Sequence, residues 1–223
     1  MKGTLYIVAT PIGNLKDISF RAIETLKNVD FVLCEDTRVT KKLLDEYKII
    51  TPTISYHQHS DAKKVKEIEE LLNSGKNLAL VTDAGTPGIS DPGEKLISNI
   101  TIKQYNNIIP IPGPSAVITA LSVSGFPSDK YTFLGFPPNK NKRQKFFKEI
   151  ADAKYTVCFY ESSHRIKKCL ENLKEVLEEK RQIMIGRELT KLHETIYRGT
   201  IDEVMEMGVK EKGEFVVVVA TTS

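Results

Sequence analysis

The sequence is poor in the residues that build metal centres and disulfide frameworks. It has three cysteines among 223 residues, an odd number, and no two of them form a CxxC pair. Cys34 and Cys158 lie inside apolar runs of the kind that form buried strands. We therefore expect buried thiols in a reducing compartment, with neither a metal site nor a disulfide framework.

Further absences narrow the possible functions. No apolar run is long enough to span a bilayer, and the first residues lead directly into a strand without the features of a signal peptide. There is no tryptophan and no strand rich in aromatic residues, which argues against an RNA-recognition sheet built on stacking rings. No Gly-Lys-Ser/Thr closes the glycine-rich loop at residues 83–93, so a triphosphate would lack its lysine. The sequence predicts a cytoplasmic protein without a membrane partner.

The composition is that of a globular protein with a full core. Hydrophobic residues make up 40% and charged residues 27%, and the formal net charge of +3 permits an RNA partner without requiring one. Up to residue 112, strands alternate with helices, which predicts a mostly parallel sheet with helices on both faces. Later strands follow one another closely, which predicts a mixed sheet. We therefore expect two α/β domains in tandem, at residues 1–112 and 113–223.

Unusual residues follow each predicted strand of the first half. In a parallel sheet the loops after the strands share one edge, where α/β folds build ligand sites. The longest of these loops is rich in glycine, proline and small hydroxyl residues, and it is longer than a simple turn requires. A rigid turn without a ligand is the alternative explanation of that loop. The loops that we expect to share this edge are residues 11–14, 35–38, 57–59, 83–93 and 112–115.

Two acids and an arginine stand together directly after the second predicted strand. Glu35, Asp36 and Arg38 could recognise a hydroxyl or a phosphate, since unpaired charge at a strand end is costly to bury. The alternative is a capped helix start with a solvated arginine. His57 and His59 alternate along the third predicted strand, so they should point to opposite sides and make a poor metal pair. One of these histidines could face the site.

A basic run in the second half has two possible meanings. It could grip the phosphates of RNA, or it could be the solvated face of a helix whose buried face is Phe146 and Phe147. The cationic residues of the run are Lys140, Lys142, Arg143, Lys145 and Lys148.

Six segments, spread in order along the whole chain, resemble the ribosomal RNA small subunit methyltransferase I family. That family belongs to the tetrapyrrole-methylase superfamily of class III S-adenosylmethionine methyltransferases. The matching segments are residues 5–15 (LYIVATPIGNL), 35–40 (EDTRVT), 82–93 (TDAGTPGISDPG), 111–116 (IPGPSA), 159–165 (FYESSHR) and 187–191 (RELTK).

The resemblance implies a function, a cofactor and a set of contacts. It implies S-adenosylmethionine held in a cleft between two α/β domains, a homodimer, and 2′-O-methylation of a cytidine ribose in the decoding region of small-subunit (16S) ribosomal RNA. The partner would be ribosomal RNA or the small ribosomal subunit. The residues that the resemblance places against the cofactor are Pro11, Ile12, Gly13, Asp83, Gly85, Thr86, Pro87, Ser115, Ala116, Tyr160, Glu161, Glu188, Leu189, Gly213, Glu214 and Phe215.

A ribose 2′-hydroxyl hardly ionises at neutral pH, so methyl transfer to it is helped by a base. Asp36, His57 and Glu35 are the candidates for the base, and Arg38 would steady a phosphate or the acid.

Two other functions compete with methylation of ribosomal RNA. One is another enzyme of the superfamily, acting on a tetrapyrrole or a diphthine-type histidine. It is disfavoured because residues 9–15 replace the GxGxGD loop of the corrin-making branch. The other is a ribosome-assembly factor without chemistry. Longer members of the family continue past the last strand, which leaves RNA contacts of such an extension open here.

Overall fold

The computed structural model describes residues 2–91, 93–102 and 107–221. Contacts between Cα atoms divide the chain into two compact units, Met1–Ser115 and Ala116–Ser223. The domain boundary between residues 112 and 113 stays a prediction.

The first unit alternates strands and helices. Its strands β1 to β5 are Leu5–Val8, Phe31–Cys34, Thr53–Ser55, Leu78–Leu80 and Ile108–Ile111. A short 3-10 helix, Leu15–Asp17, follows β1, and the helices α1 to α4 are Phe20–Asn28, Thr37–Glu46, Ala62–Asn73 and Glu94–Ile102.

The strands of the first unit form one parallel sheet in the order β3-β2-β4-β1-β5. Successive side chains of β2 face opposite ways, and each face is covered by its own core. Val32 and Cys34 join the core that contains Ala22, from α1. Leu33 joins the core that contains Ile68, from α3. The predicted parallel sheet with helices on both faces is confirmed, and the loops after its strands share one edge.

The second unit is a mixed α/β structure. Its strands β6 to β10 are Tyr131–Phe133, Thr156–Ser162, Gln182–Arg187, Thr195–Thr200 and Glu214–Val219. The helices α5 to α8 are Ala116–Ser124, Arg143–Ala151, Ile166–Val176 and Ile201–Glu206.

The second sheet has the order β6-β7-β10-β8-β9. Strands β6 and β7 are parallel, and the other neighbours are antiparallel, so the predicted mixed sheet is confirmed. Residues of α6, α7 and α8 form one core with the sheet, centred on Phe147 and Phe159. Helix α5 packs on β7, β8 and β10.

All three thiols are free and buried, as predicted. Burial raises the pKa of Cys34, Cys158 and Cys169, and for Cys158 the value is about 12. These cysteines therefore act as small apolar residues of the core.

Candidate active site

A recess of about 580 Å³ opens at the carboxyl edge of β2, β3 and β4. Within the first unit it brings together the four residues that the sequence predicts to be catalytic. They approach from the loops after two neighbouring strands, which explains why residues more than twenty positions apart meet. The recess is lined by Glu35, Asp36, Thr37, Arg38, Ser55, His57, Gln58, His59 and Asp83.

Asp36 is held in place by helix α2 and by Arg38. It is the N-cap residue of α2, and its Oδ1 accepts a hydrogen bond from the Arg38 backbone N at 2.8 Å. The Arg38 guanidinium binds both carboxylate oxygens, with Nε at 3.1 Å from Oδ1 and Nη2 at 2.8 Å from Oδ2. These bonds lower the pKa of Asp36 to about 2. Because the carboxylate is already satisfied and weakly basic, it is suited to position Arg38 more than to accept a proton.

Glu35 has the opposite environment in the same recess. It is partly buried, and burial, followed by the negative charge of Asp83, raises its pKa above the ordinary value of 4.5. A carboxylate with a raised pKa is a stronger base and a better proton acceptor near neutral pH. Of the two candidate carboxylates, Glu35 has the electrostatics that the role of a base requires.

Asp91 is an acid of this edge that the sequence did not single out. It lies in the glycine-rich loop after β4, next to Pro92, which is outside the described residues. Burial first, and then the negative charge of Glu35, raises the pKa of Asp91 to about 6. Only the folded loop reveals this, since nothing in the local sequence shows that Asp91 turns toward Glu35.

The raised pKa of Asp91 predicts a pH-dependent cost in stability. The folded state favours the protonated acid. The contribution of Asp91 to the free energy of unfolding is therefore complete below the unfolded pKa of 3.8 and is lost as pH rises through about 6. Asp91→Asn should therefore increase the free energy of unfolding by about 1 kcal/mol at pH 8, after allowance for solvent screening of a half-buried group. The gain should shrink at pH 5. Urea unfolding at both pH values measures it, with the exposed Asp45→Asn as control, and an equal gain at both values would contradict the cause.

His57 and His59 do not lie on a strand, so the expectation that they alternate along β3 is wrong. Strand β3 ends at Ser55, and the histidines occupy the turn that follows. The His59 backbone N donates to His57 Nδ1 at 3.2 Å, and the two ring centroids are 6.2 Å apart. Both side chains are exposed and line the recess. Hydrogen bonding within the turn sets their directions, which strand periodicity cannot supply.

Asp83 links the loops after β2 and β4. Its exposed carboxylate accepts a hydrogen bond from the Asp36 backbone N at 3.2 Å. This bond fixes the amide at the start of α2 against the glycine-rich loop. Asp83 thus belongs to the acidic recess as well as to the predicted cofactor residues.

The remaining predicted cofactor residues of the first unit surround the joint between β1 and the glycine-rich loop. The backbones of Thr10 and Gly85 exchange two hydrogen bonds, of 2.9 and 3.1 Å. Gly85 has φ of +81°, a conformation that a side chain would strain. Thr86 Oγ1 lies 3.5 Å from the Pro114 carbonyl oxygen, which ties in the loop after β5. Pro11, Ile12 and Pro87 are buried here, Gly13 is exposed and Ser115 is half-buried. Ala116, also half-buried, is the first residue of the second unit.

The predicted cofactor residues of the second unit gather at the ends of β7 and β8 and at the start of β10. Phe215 pairs with Glu161 on one side and with Arg187 on the other. Glu188 Oε1 accepts from the Glu214 backbone N at 2.9 Å and from Lys191 Nζ at 3.0 Å. The side chains of Glu161, Leu189 and Phe215 are buried within the unit, whereas Tyr160, Glu188, Gly213 and Glu214 are at least partly accessible.

Glu161 is the centre of an ion cluster that the sequence did not reveal. Its carboxylate has no solvent exposure, and it lies 2.8 Å from Arg165 Nε and 3.5 Å from Arg143 Nη2. Arg143 also donates to the Pro138 carbonyl at 3.2 Å, and Arg165 donates to the Pro137 carbonyl at 3.0 Å. The cluster therefore fastens the loop before α6 to the end of β7.

The described residues contain neither a candidate metal centre nor a candidate membrane span. Among residues 2–91, 93–102 and 107–221, histidine, cysteine and carboxylate side chains form no group of three or more that could hold a metal ion. In the same ranges no helix has the length and apolarity needed to cross a membrane.

Sequence comparison gives long matches to curated proteins. The chain is 46% identical over 221 residues to "Ribosomal RNA small subunit methyltransferase I" of Halalkalibacterium halodurans, a match that covers 98% of this chain and 76% of that protein. It is 41% identical to the protein of the same name from Thermotoga maritima, with 98% of both chains covered.

Structure comparison gives the same fold in solved methyltransferases. The cobalt precorrin-4 methyltransferase CbiF superposes with a TM-score of 0.71 at 18% identity, over 97% of this chain and 94% of that chain. The uroporphyrin-III-C-methyltransferase of Thermus thermophilus gives 0.68 at 14% identity, over 98% and 94%. At such identities the likeness establishes the fold alone.

A family model described as "Tetrapyrrole (Corrin/Porphyrin) Methylases" matches residues 4–205. The match includes the strands of the parallel sheet and the loops that form the acidic recess. The chain therefore belongs to the tetrapyrrole methylase family, whose members are S-adenosylmethionine-dependent methyltransferases.

Proposed function

We propose that this enzyme methylates the 2′-oxygen of a cytidine ribose in the decoding region of small-subunit (16S) ribosomal RNA. The observation that carries the proposal is the recess at the edge of β2, β3 and β4. Its lining includes a proton acceptor of raised pKa, Glu35, and a guanidinium, Arg38, whose side chain is 87% exposed. A ribose hydroxyl next to a phosphate needs both groups. The printed name of the relatives at 41–46% identity supports RNA as the substrate class.

The residues of the carboxyl edge suit a cationic methyl donor. Glu35, Asp36, Asp83 and Asp91 outnumber the single cation Arg38 there, so a positive ligand would be compensated. The φ of +81° at Gly85 suits glycine and holds the glycine-rich loop against Thr10, which follows β1. We propose that the residues predicted from the resemblance, apart from the buried Glu161 carboxylate, hold S-adenosylmethionine, which would supply an electrophilic methyl group on its sulfonium. Tyr160, Glu188 and Glu214 of the second unit belong to that proposal.

In the proposed reaction, Glu35 accepts the proton of the 2′-hydroxyl as the oxygen–methyl bond forms and the sulfur–methyl bond breaks. The products are the methylated ribose, S-adenosylhomocysteine and a proton on Glu35, which is later released to water. Arg38, oriented by Asp36, contacts the neighbouring phosphate. His57 lines the same recess and can contact the ribose or the phosphate. Alignment of the hydroxyl with the methyl group contributes much of the rate.

Purified enzyme, methyl-labelled S-adenosylmethionine and unmethylated small ribosomal subunits test the proposal. We expect label in ribosomal RNA, recovered after nuclease digestion as 2′-O-methylcytidine. Label in a base, or no label in RNA, would contradict it. A protein that binds subunits tightly without transferring label would instead be an assembly factor.

We further propose that the enzyme acts in the cytoplasm, on ribosomal RNA alone or in the small subunit, and as a homodimer. Ultracentrifugation of the purified chain tests the dimer, and a monomer at all concentrations would contradict it. Naked transcript and assembled subunit, compared as substrates in the same assay, distinguish the two forms of the partner.

A further inference from the structure

The second unit has a basic recess of about 650 Å³ at the edge strand β6. We call it the Tyr155 recess. The residues that line it are Thr132, Leu134, Lys145, Lys148, Glu149, Asp152, Ala153, Lys154, Tyr155 and Val157.

The cations of the Tyr155 recess converge from separate parts of the unit. Lys145 and Lys148 are three positions apart on α6, and therefore lie on one face of the helix. The ammonium groups of Lys130 and Lys154 lie over the ring of Tyr155, at 5.5 and 5.7 Å from its centroid.

These four ammonium groups have no acidic partner within ion-pair distance in the part of the chain that the structure describes. No described carboxylate lies within 4.0 Å of Lys130, Lys145, Lys148 or Lys154, since the ion pairs of the described chain involve other residues. Glu149 and Asp152 line the recess without pairing with these lysines, and the recess has an excess of positive charge. Two ammonium groups that share one ring repel each other, so an anion between them would be favourable.

The structure also corrects the composition of the basic run. Arg143 does not belong to the solvated cations, because its side chain is only 12% exposed and is committed to Glu161, Pro138 and Asn172. Lys140 and Lys142 lie on the loop before α6, and Lys145 and Lys148 face the Tyr155 recess. The prediction that Phe146 and Phe147 form the buried face of the helix is confirmed.

We propose that the Tyr155 recess binds the sugar–phosphate backbone of the RNA substrate. This inference rests on the proposed function, because it takes RNA as the partner. Lysine ammonium groups bind phosphates as point charges, and the accessible tyrosine adds a hydroxyl and a ring edge to the contact. Such a contact is independent of the RNA sequence and adds to the affinity for RNA.

The test compares two triple variants of equal net charge. Lys145→Gln/Lys148→Gln/Lys154→Gln removes the recess cations, and Lys27→Gln/Lys63→Gln/Lys180→Gln removes three exposed lysines elsewhere. The dissociation constant for a 16S ribosomal RNA transcript is measured by fluorescence anisotropy over a series of KCl concentrations. The logarithm of the dissociation constant rises with log[KCl]. We expect the slope of this rise to decrease by about one for each recess lysine that is removed. The control variant should keep the slope of the parent enzyme.

Equal slopes for the two triple variants would overturn the proposal. So would polyglutamate that binds the parent and the control but not the recess variant, while all three proteins bind the transcript with the same slope, since the recess would then accept acidic protein instead of RNA. The affinity for S-adenosylmethionine, measured by calorimetry, should equal that of the parent in each variant and reports intact folding. Parent enzyme that binds the transcript without methylating it would count against the proposed function, while the comparison of slopes would still decide this inference.

Discussion

Replacing Glu35 by glutamine is expected to lower kcat by about 100- to 10,000-fold, the range that a positioned general base contributes. The substitution keeps the shape of the side chain and removes its ability to accept the 2′-hydroxyl proton. Because Asp36, Asp83 and Asp91 remain to compensate the positive charge of the donor, the affinity for S-adenosylmethionine should stay within a few-fold of the parent. Single-turnover methyl transfer to small subunits, with calorimetry for the donor, measures both quantities.

The pH dependence of the rate provides a second signature of Glu35. The carboxylate must be ionised to accept a proton, so kcat should rise with pH through the pKa of Glu35, which lies above 4.5, and then level off. The glutamine variant should lack that rise. Glu46→Gln, an exposed acid at the far end of α2, is the matched control and should keep full activity.

Asp36→Asn separates positioning from proton transfer. It weakens the hold on Arg38, so we expect a raised KM for RNA and a smaller loss in kcat than Glu35→Gln gives. If Asp36→Asn were the more damaging of the two in kcat, the base would be Asp36 and the assignment to Glu35 would be wrong.

Glu161→Gln is expected to lower the free energy of unfolding by about 3 kcal/mol, because it leaves two largely enclosed guanidinium groups without their anion. The Glu161 carboxylate has no exposure and holds Arg143 and Arg165, whose other bonds fasten the loop before α6. Urea unfolding measures the loss. Glu171→Gln, which breaks an exposed pair with Lys168 in the same unit, should change stability by less than about 1 kcal/mol.

The same variant decides what Glu161 does for the donor. A resemblance to the family places this residue against the cofactor, whereas its buried carboxylate indicates a structural role within the second unit. We expect the folded variant to bind S-adenosylmethionine with nearly the parent affinity below its melting temperature. Unchanged stability together with a large loss of donor affinity would show that the carboxylate itself contacts the donor.

Much of the fold could be predicted because its strands are short apolar runs that end in polar or glycine-rich loops. The runs at Leu78–Leu80 and Phe31–Cys34 are buried in the centre of the sheet. Since parallel strands put their following loops on one edge, the clustering of Glu35, Asp36 and Asp83 followed from topology. The sequence left two roles open for Asp36, in a helix cap or in a binding site. In the structure this residue caps α2 and also binds Arg38 within the recess.

The parts that could not be predicted depend on contacts between distant residues. In the sequence Arg143 is one more cation of a basic run. Only the fold shows that its side chain is largely buried because it pairs with Glu161, on β7. Asp91 looked like an ordinary loop acid, and its raised pKa arises from burial and from Glu35. The direction of His57 depends on a turn, where the alternation of strand residues does not apply.

The most direct test of the central claim is a map of ribose methylation in small-subunit ribosomal RNA from cells that lack this gene. The map is repeated after the cells are supplied with the parent enzyme or with Glu35→Gln. We predict that one 2′-O-methylcytidine in the decoding region is absent without the gene, returns with the parent enzyme and stays absent with Glu35→Gln. Ribose methylation that is the same with and without the gene would contradict the account.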